Sequence, residues 1–183
     1  MTGPLQVLLL LGTASLLQAS CPTIPIIADF DINRYAGTWY ESERFDNPFE
    51  WYTRCVSDTY ITREDGSYTV LYNRIGTWTG SNRTTEGTLD LFDDVHPGQF
   101  RASFAGWLPS GNYYVIDTDY DNYSIVYSCS DVYGFTHVEL AWIMSRERNG
   151  VTRRQRSKLY SRLSSLGIDT TQFIESDQTG CDA

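Results

Sequence analysis

The chain has 183 residues, the size of one domain, and its 41% hydrophobic and 20% charged residues make a globular mixture that excludes the disordered class. A net charge of −9 argues against a uniformly basic nucleic-acid surface, so no nucleic-acid partner is expected. The two histidines, His96 and His137, lie far apart without cysteines at ligand spacing, which argues against a His-rich metal site.

Residues 1–20 contain an uncharged apolar run from Val7 to Leu17, followed by the small residues Ala19 and Ser20. This pattern predicts a secretory signal peptide cut after Ala19 or Ser20, leaving 21–183 as a single secreted, extracellular domain. No later run has the length of a membrane span, and the last residues carry no hydrophobic tail of the lipid-anchor kind. In an oxidising compartment, Cys21, Cys55, Cys129 and Cys181 predict two disulfides; spacing alone permits three pairings. Asn82-Arg83-Thr84 and Asn122-Tyr123-Ser124 are sequons on the same route, so Asn82 and Asn122 are candidate glycosylation sites.

From Gly37 to Arg146 the chain repeats a short aromatic or β-branched run followed by a turn. The runs fall near 38–46, 55–63, 68–75, 84–92, 99–106, 112–118, 123–130 and 137–146, with breakers such as Glu64-Asp65-Gly66 and His96-Pro97-Gly98 between them. Eight strands so spaced predict an all-β antiparallel sandwich or up-and-down barrel. Phe100, Ala102 and Phe104 share one face; Val138, Leu140, Trp142 and Met144 share another, with apolar Ala141 and Ile143 on its reverse. A strand apolar on both faces needs two covers. Residues 152–166 supply one, a predicted helix with Leu159, Leu163 and Leu166 on one stripe and Gly167 at the stop position. An eight-stranded barrel is the size that holds one small ligand, although alternation alone is equally compatible with a solid aromatic core.

Gly37-Thr38-Trp39-Tyr40-Glu41, Thr118-Asp119-Tyr120 and Arg146 resemble, in order and spacing, the three signatures of the lipocalin family. Tyr35 to Glu41, Asp119 to Tyr123, Val126 to Cys129, Ala141 to Arg146, Gly167-Ile168-Asp169, Asp177-Gln178 and Cys181 resemble its apolipoprotein D branch. Insect bilin-binding and crustacean carotenoid-binding lipocalins share much of the pattern. The resemblance implies an eight-stranded antiparallel up-and-down barrel with one C-terminal α-helix packed outside. It also implies disulfides Cys21–Cys129 and Cys55–Cys181, and structural roles for Gly37, Trp39, Thr118, Asp119, Tyr120 and Arg146 at a closed end, with Arg146 over the Trp39 indole. The ligand-binding residues it implies are Tyr35, Tyr72, Phe104, Tyr113, Trp142 and Met144; at Tyr72 the apolipoprotein D pattern has a small polar residue instead.

The open-end loops would be 46–54, 76–83, 107–111 and 131–136, carrying Phe49, Trp51, Trp78, Trp107, Tyr133 and Phe135. Such rings serve either lipoprotein or membrane-surface contact or a lid over the ligand. Arg153, Arg154, Arg156, Lys158 and Arg162 predict a solvated helix face rather than an anionic-surface site. Glu41 and Glu43, two apart, are expected on one strand face, as an acid and base would be, but no nucleophile motif or free thiol joins them, and no enzyme is expected. The expected function is a secreted carrier of a fatty acid, sterol, retinoid or similar molecule, monomeric or weakly oligomeric. No cofactor is required, a bound bilin, carotenoid or lipid being compatible. The alternative is a pigment lipocalin holding biliverdin or a carotenoid.

Overall fold

The computed structural model describes residues 21–93, 95–104, 110–132 and 136–181. A one-turn helix, α1 (Ile32–Tyr35), is capped by the Asp31 carboxylate, which accepts from the amides of Asn33 and Arg34. The chain then forms β1 (Gly37–Phe45), β2 (Thr53–Thr62), β3 (Tyr68–Gly76), β4 (Asn82–Leu91), β5 (Gln99–Phe104), β6 (Gly111–Thr118), β7 (Tyr123–Val132) and β8 (Thr136–Ser145). Each pairs antiparallel with the next, and β1 pairs with both β2 and β8, so the sheet closes into a barrel. All eight expected runs are strands, with boundaries shifted by about two residues as strand ends usually are.

The expected helix is α2 (Arg153–Ser165). Thr152 and Gln155 form a capping box at its start. At its end the Gly167 amide donates to the Ser164 carbonyl and the Ile168 amide to that of Leu163, with Gly167 at φ +80°. Leu159 and Leu163 face Ala141, Ile143, Ile125 and Phe45 on the barrel wall, which explains the second apolar face of β8. The basic side chains of α2 are partly structural: Arg156 contacts Glu43 at 2.6 Å and Glu175 at 2.7 Å, and Arg162 reaches Asp117 at 3.6 Å.

Two features were not expected from the sequence. A short strand, β9 (Phe173–Glu175), pairs with Glu43–Phe45 of β1, on the side that β2 has left. A bulge at Ser42 also shifts the register between β1 and β8. Its extra residue breaks the two-residue alternation. Glu41 and Glu43 therefore do not share a face: Glu41 points into the barrel, while Glu43 points out to Arg156 and the Tyr160 hydroxyl. The expected acid–base spacing is corrected by that one residue.

Both disulfides form, Cys21–Cys129 with Cα atoms 5.8 Å apart and Cys55–Cys181 with 5.5 Å, the pairing that the resemblance implies. They close sequence separations of 108 and 126 residues and tie the two ends of the domain to the wall. Loops of this length carry about 4 kcal/mol each in the chain-entropy account.

At the closed end, the Arg146 guanidinium lies 3.7 Å from the Trp39 ring centroid. It donates to the carbonyls of Arg34, Tyr35, Ala36, Thr38 and Tyr120. Gly37 has φ +93°, a backbone conformation that asks for glycine, and a Cβ there would come within 3.4 Å of Arg146 Nη1. Thr118 Oγ1 donates to the Tyr123 carbonyl and accepts from the Tyr120 amide; the Asp119 carboxylate gathers the amides of Asp121, Asn122 and Tyr123. These contacts make the six signature residues a structural floor. Above it Phe30, Tyr35, Trp39, Tyr60, Tyr68 and Phe100 pack ring against ring.

Candidate ligand cavity

Above this floor the barrel encloses a cavity of about 430 Å³, within the range of small-ligand pockets. Its apolar wall is set by strand alternation. β5 presents Ala102 and Phe104, and β8 presents Val138, Leu140, Trp142 and Met144, the faces read from the sequence. Tyr72 enters from β3 and Tyr113 from β6. Gly87 on β4 makes room for Phe104: a Cβ there would fall 2.4 Å from the ring and 2.8 Å from the Ser103 carbonyl oxygen.

Five of the six expected ligand residues, Tyr72, Phe104, Tyr113, Trp142 and Met144, thus line one space. Tyr35 does not. It sits on α1, fully buried in the floor, with its hydroxyl 3.0 Å from Ser124 Oγ. On this helical turn beneath the barrel, the Tyr35 ring packs against Tyr60, whose hydroxyl lies 2.5 Å from that of Tyr113.

The polar lining is the part the sequence did not reveal. Glu50, from the β1–β2 loop, reaches into the barrel and accepts from Trp142 Nε1 at 3.2 Å and from Asn47 Nδ2 at 3.2 Å. Arg44 Nε lies 2.9 Å from Glu50 Oε2 and 3.5 Å from Glu41 Oε1. Glu41 also accepts from the Ser176 hydroxyl on the C-terminal segment. Burial, then the charge of Glu50, pushes the Glu41 carboxyl well above the usual range. Glu50 is raised by burial too, but Arg44, Asn47 and Trp142 oppose the shift. The Arg44 guanidinium lies nearer Glu50 than Glu41 and so opposes the upward push more strongly at Glu50.

Asp58 on β2 is deeper. Burial, reinforced by the charge of Glu50, pushes its carboxyl up to about 7, while Tyr60, donating to Oδ2 at 3.5 Å, works the other way. Arg74 also lines the cavity, donating to Thr85 Oγ1 and lying 4.8 Å over the Tyr72 ring. The signal that reaches Asp58 is alternation along β2, where Val56, Asp58 and Tyr60 share a face. Glu50 gave no periodic signal because it comes from a loop.

The loop aromatics divide. Phe49 lines the cavity, on the lid side of the expectation. Trp51 and Trp78 face solvent, Trp78 with 80% exposure, and the Tyr52 and Trp78 rings lie 4.4 Å apart. Trp107, Tyr133 and Phe135 lie outside the described residues. Asn82 and Asn122 are both exposed. Among the described residues no group of three or more His, Cys, Asp or Glu side chains is placed to hold a metal ion.

Residues 30–178 match the model of the lipocalin-like domain. The chain belongs to the lipocalin family. This lipocalin is 33% identical to apolipoprotein D of Cavia porcellus over 161 residues, 88% of this chain and 84% of that protein. It is 29% identical to the Lazarillo protein of Schistocerca americana over 87% of this chain and 75% of that one. Among solved structures, insecticyanin of the tobacco hornworm Manduca sexta superposes with a TM-score of 0.75 at 24% identity, covering 87% of this chain and 86% of that chain, which shows the shared fold.

Proposed function

We propose that this lipocalin is a secreted, non-catalytic carrier that buries a small hydrophobic ligand in its barrel. The observation that carries the reading is the 430 Å³ cavity, walled by Phe104, Leu140, Trp142 and Met144 and held open above a tightly packed floor. Apolar surface leaving water stabilises a complex by roughly 25 cal/mol per Å², and the tyrosines and acids fix orientation. A fatty acid, sterol, retinoid, bilin or carotenoid enters this account as cargo rather than as a cofactor. The similarity to apolipoprotein D and the two disulfides support export; removal of residues 1–20 is part of this proposal. The test is titration of delipidated protein with a steroid, a retinoid, a fatty acid and a bilin, following tryptophan emission. Saturable change in the wild type that is lost in Trp142→Phe supports the carrier; no change with any ligand argues against it.

The exposed pair Tyr52 and Trp78, with Trp51 beside the mouth, favours a second element of the proposal: contact with a lipid or lipoprotein surface during loading. Vesicle flotation should weaken in Trp51→Ser/Trp78→Ser while ligand affinity in solution stays unchanged. Unaltered flotation removes this element and leaves the carrier standing.

A further inference from the structure

Two oxygens in the cavity wall are sealed from solvent without a hydrogen-bond partner, Asp58 Oδ1 and the Tyr72 hydroxyl. The two residues are direct cross-strand partners in the β2–β3 ladder and point to the same side. Buried polar groups in folded proteins are nearly always paired, and the exceptions mark strain, function or a missing ligand. The neighbouring tyrosine and acids are already engaged. Tyr60 donates to Asp58 Oδ2, and its hydroxyl is also bonded to that of Tyr113. Glu50 is held by Arg44, Asn47 and Trp142, and Glu41 by Arg44 and Ser176. Arg74 stands on the same face of β3 one alternation further along and is engaged by Thr85 and the Tyr72 ring.

We propose that the cavity selects an apolar molecule whose buried end is a hydrogen-bond donor, an alcohol or an amine, seated between Asp58 Oδ1 and the Tyr72 hydroxyl. The inference rests on the carrier reading above and specifies its ligand. An alcohol donates to Asp58 Oδ1 while its oxygen accepts from the Tyr72 hydroxyl, and an ammonium group donates to both oxygens. A carboxylate at the same point would meet the acidic side chains of Asp58 and Glu50, and an ether can accept from the Tyr72 hydroxyl but leaves Asp58 Oδ1 without a donor. The charged and titratable groups facing this point are Glu50 from the β1–β2 loop, Glu41 and Arg44 from β1, Tyr60 from β2, Tyr72 and Arg74 from β3, Tyr113 from β6 and Tyr35 from α1. With the Asp58 carboxyl held near neutrality, a protonated amine gains as the pH rises and Asp58 ionises.

The experiment is calorimetric titration with four aliphatic ligands that share one tail and end in an amine, an alcohol, a methyl ether or a carboxylate. The amine or the alcohol should bind at least about tenfold tighter than the ether and the carboxylate. If the head is an amine, its affinity should rise several-fold between about pH 6 and about pH 8; if an alcohol, the change is smaller. Asp58→Asn should reduce the preference for a donor while ether affinity stays near that of the wild type, and Tyr72→Phe should weaken amine or alcohol binding. Tyr72→Phe removes only a hydroxyl, so it carries the test if Asp58→Asn does not fold. Equal or tighter binding of the ether or carboxylate, or unchanged amine and alcohol affinity in Tyr72→Phe, overturns the proposal and leaves the carrier reading intact. Failure of all four ligands to bind, with no ligand found in the broader panel, defeats the carrier reading itself.

Discussion

At the closed end, Arg146 donates to five backbone carbonyls and stacks on Trp39, and the rings above it have no visible surface left to give. At the cavity end, Asp58 and Tyr72 each present an oxygen with no partner, and the Glu41 and Glu50 carboxyl groups share Arg44. Both ends are rich in buried polar atoms, yet they differ in whether those atoms are satisfied. A satisfied polar network fixes a unique packing; an unsatisfied one lowers stability and leaves free energy for a ligand to recover. The same barrel therefore separates a stabilising floor from a receptive cavity, and removing a buried ionisable group, Arg146 at one end or Asp58 at the other, should move stability in opposite directions.

The largest effect belongs to the floor. Arg146→Met keeps much of the side-chain volume but takes the guanidinium from five carbonyls, of which Tyr35's still accepts from Trp39 Nε1, and removes the contact with Trp39. Urea unfolding should show a loss of about 3–5 kcal/mol. A loss below about 1 kcal/mol would mean that water replaces the guanidinium and that the floor is not the stabilising end.

At Asp58 the sign reverses. The folded carboxyl titrates at about 7 rather than at its ordinary 3.8, so the folded state keeps a proton that the unfolded chain releases. Stability from this group is fully present below about pH 4 and is lost as the pH rises through about 7. Asp58→Asn removes the titration. At pH 8 the variant should be more stable than the wild type by about 1–3 kcal/mol, with the gap closing toward pH 4. Parallel stability curves for the two proteins across that range would contradict the assignment.

How much of this division was legible in the sequence depended on what kind of signal each residue gives. The strand runs and their turns were visible because side chains alternate with period two, and Phe104, Trp142 and Met144 could be placed by that rule alone. The floor was visible because its residues fall in signature segments. Tyr35 was placed by resemblance and not by alternation, and it stands on a helical turn, where strand alternation gives no direction. Glu43 went to the wrong face because a single bulge at Ser42 is silent in composition. Glu50 comes from a loop, and β9 is only three residues long, too short for a periodic pattern. Local rules reach the regular wall; the polar interior depends on long-range closure that they do not contain.

A smaller effect sharpens the boundary between wall and cavity. Gly87→Ala places a methyl group 2.4 Å from the Phe104 ring, which can yield only toward the open interior. Ligand affinity should fall several-fold, with about 1–2 kcal/mol of stability lost because the Ser103 carbonyl must also shift. Unchanged affinity would place Phe104 outside the occupied part of the cavity.

The most direct test of the central claim, that the space above the floor is a ligand cavity and not a core, is to measure stability and ligand affinity together in Trp142→Ala. Trp142 borders open space and makes one hydrogen bond, to Glu50. The account predicts a folded variant that loses about 1–2 kcal/mol of stability and at least about tenfold in affinity for an apolar ligand that the wild type binds. A variant that loses the 3–5 kcal/mol typical of a packed core tryptophan, about that much and no less, in a protein whose wild type binds no apolar ligand, would contradict it.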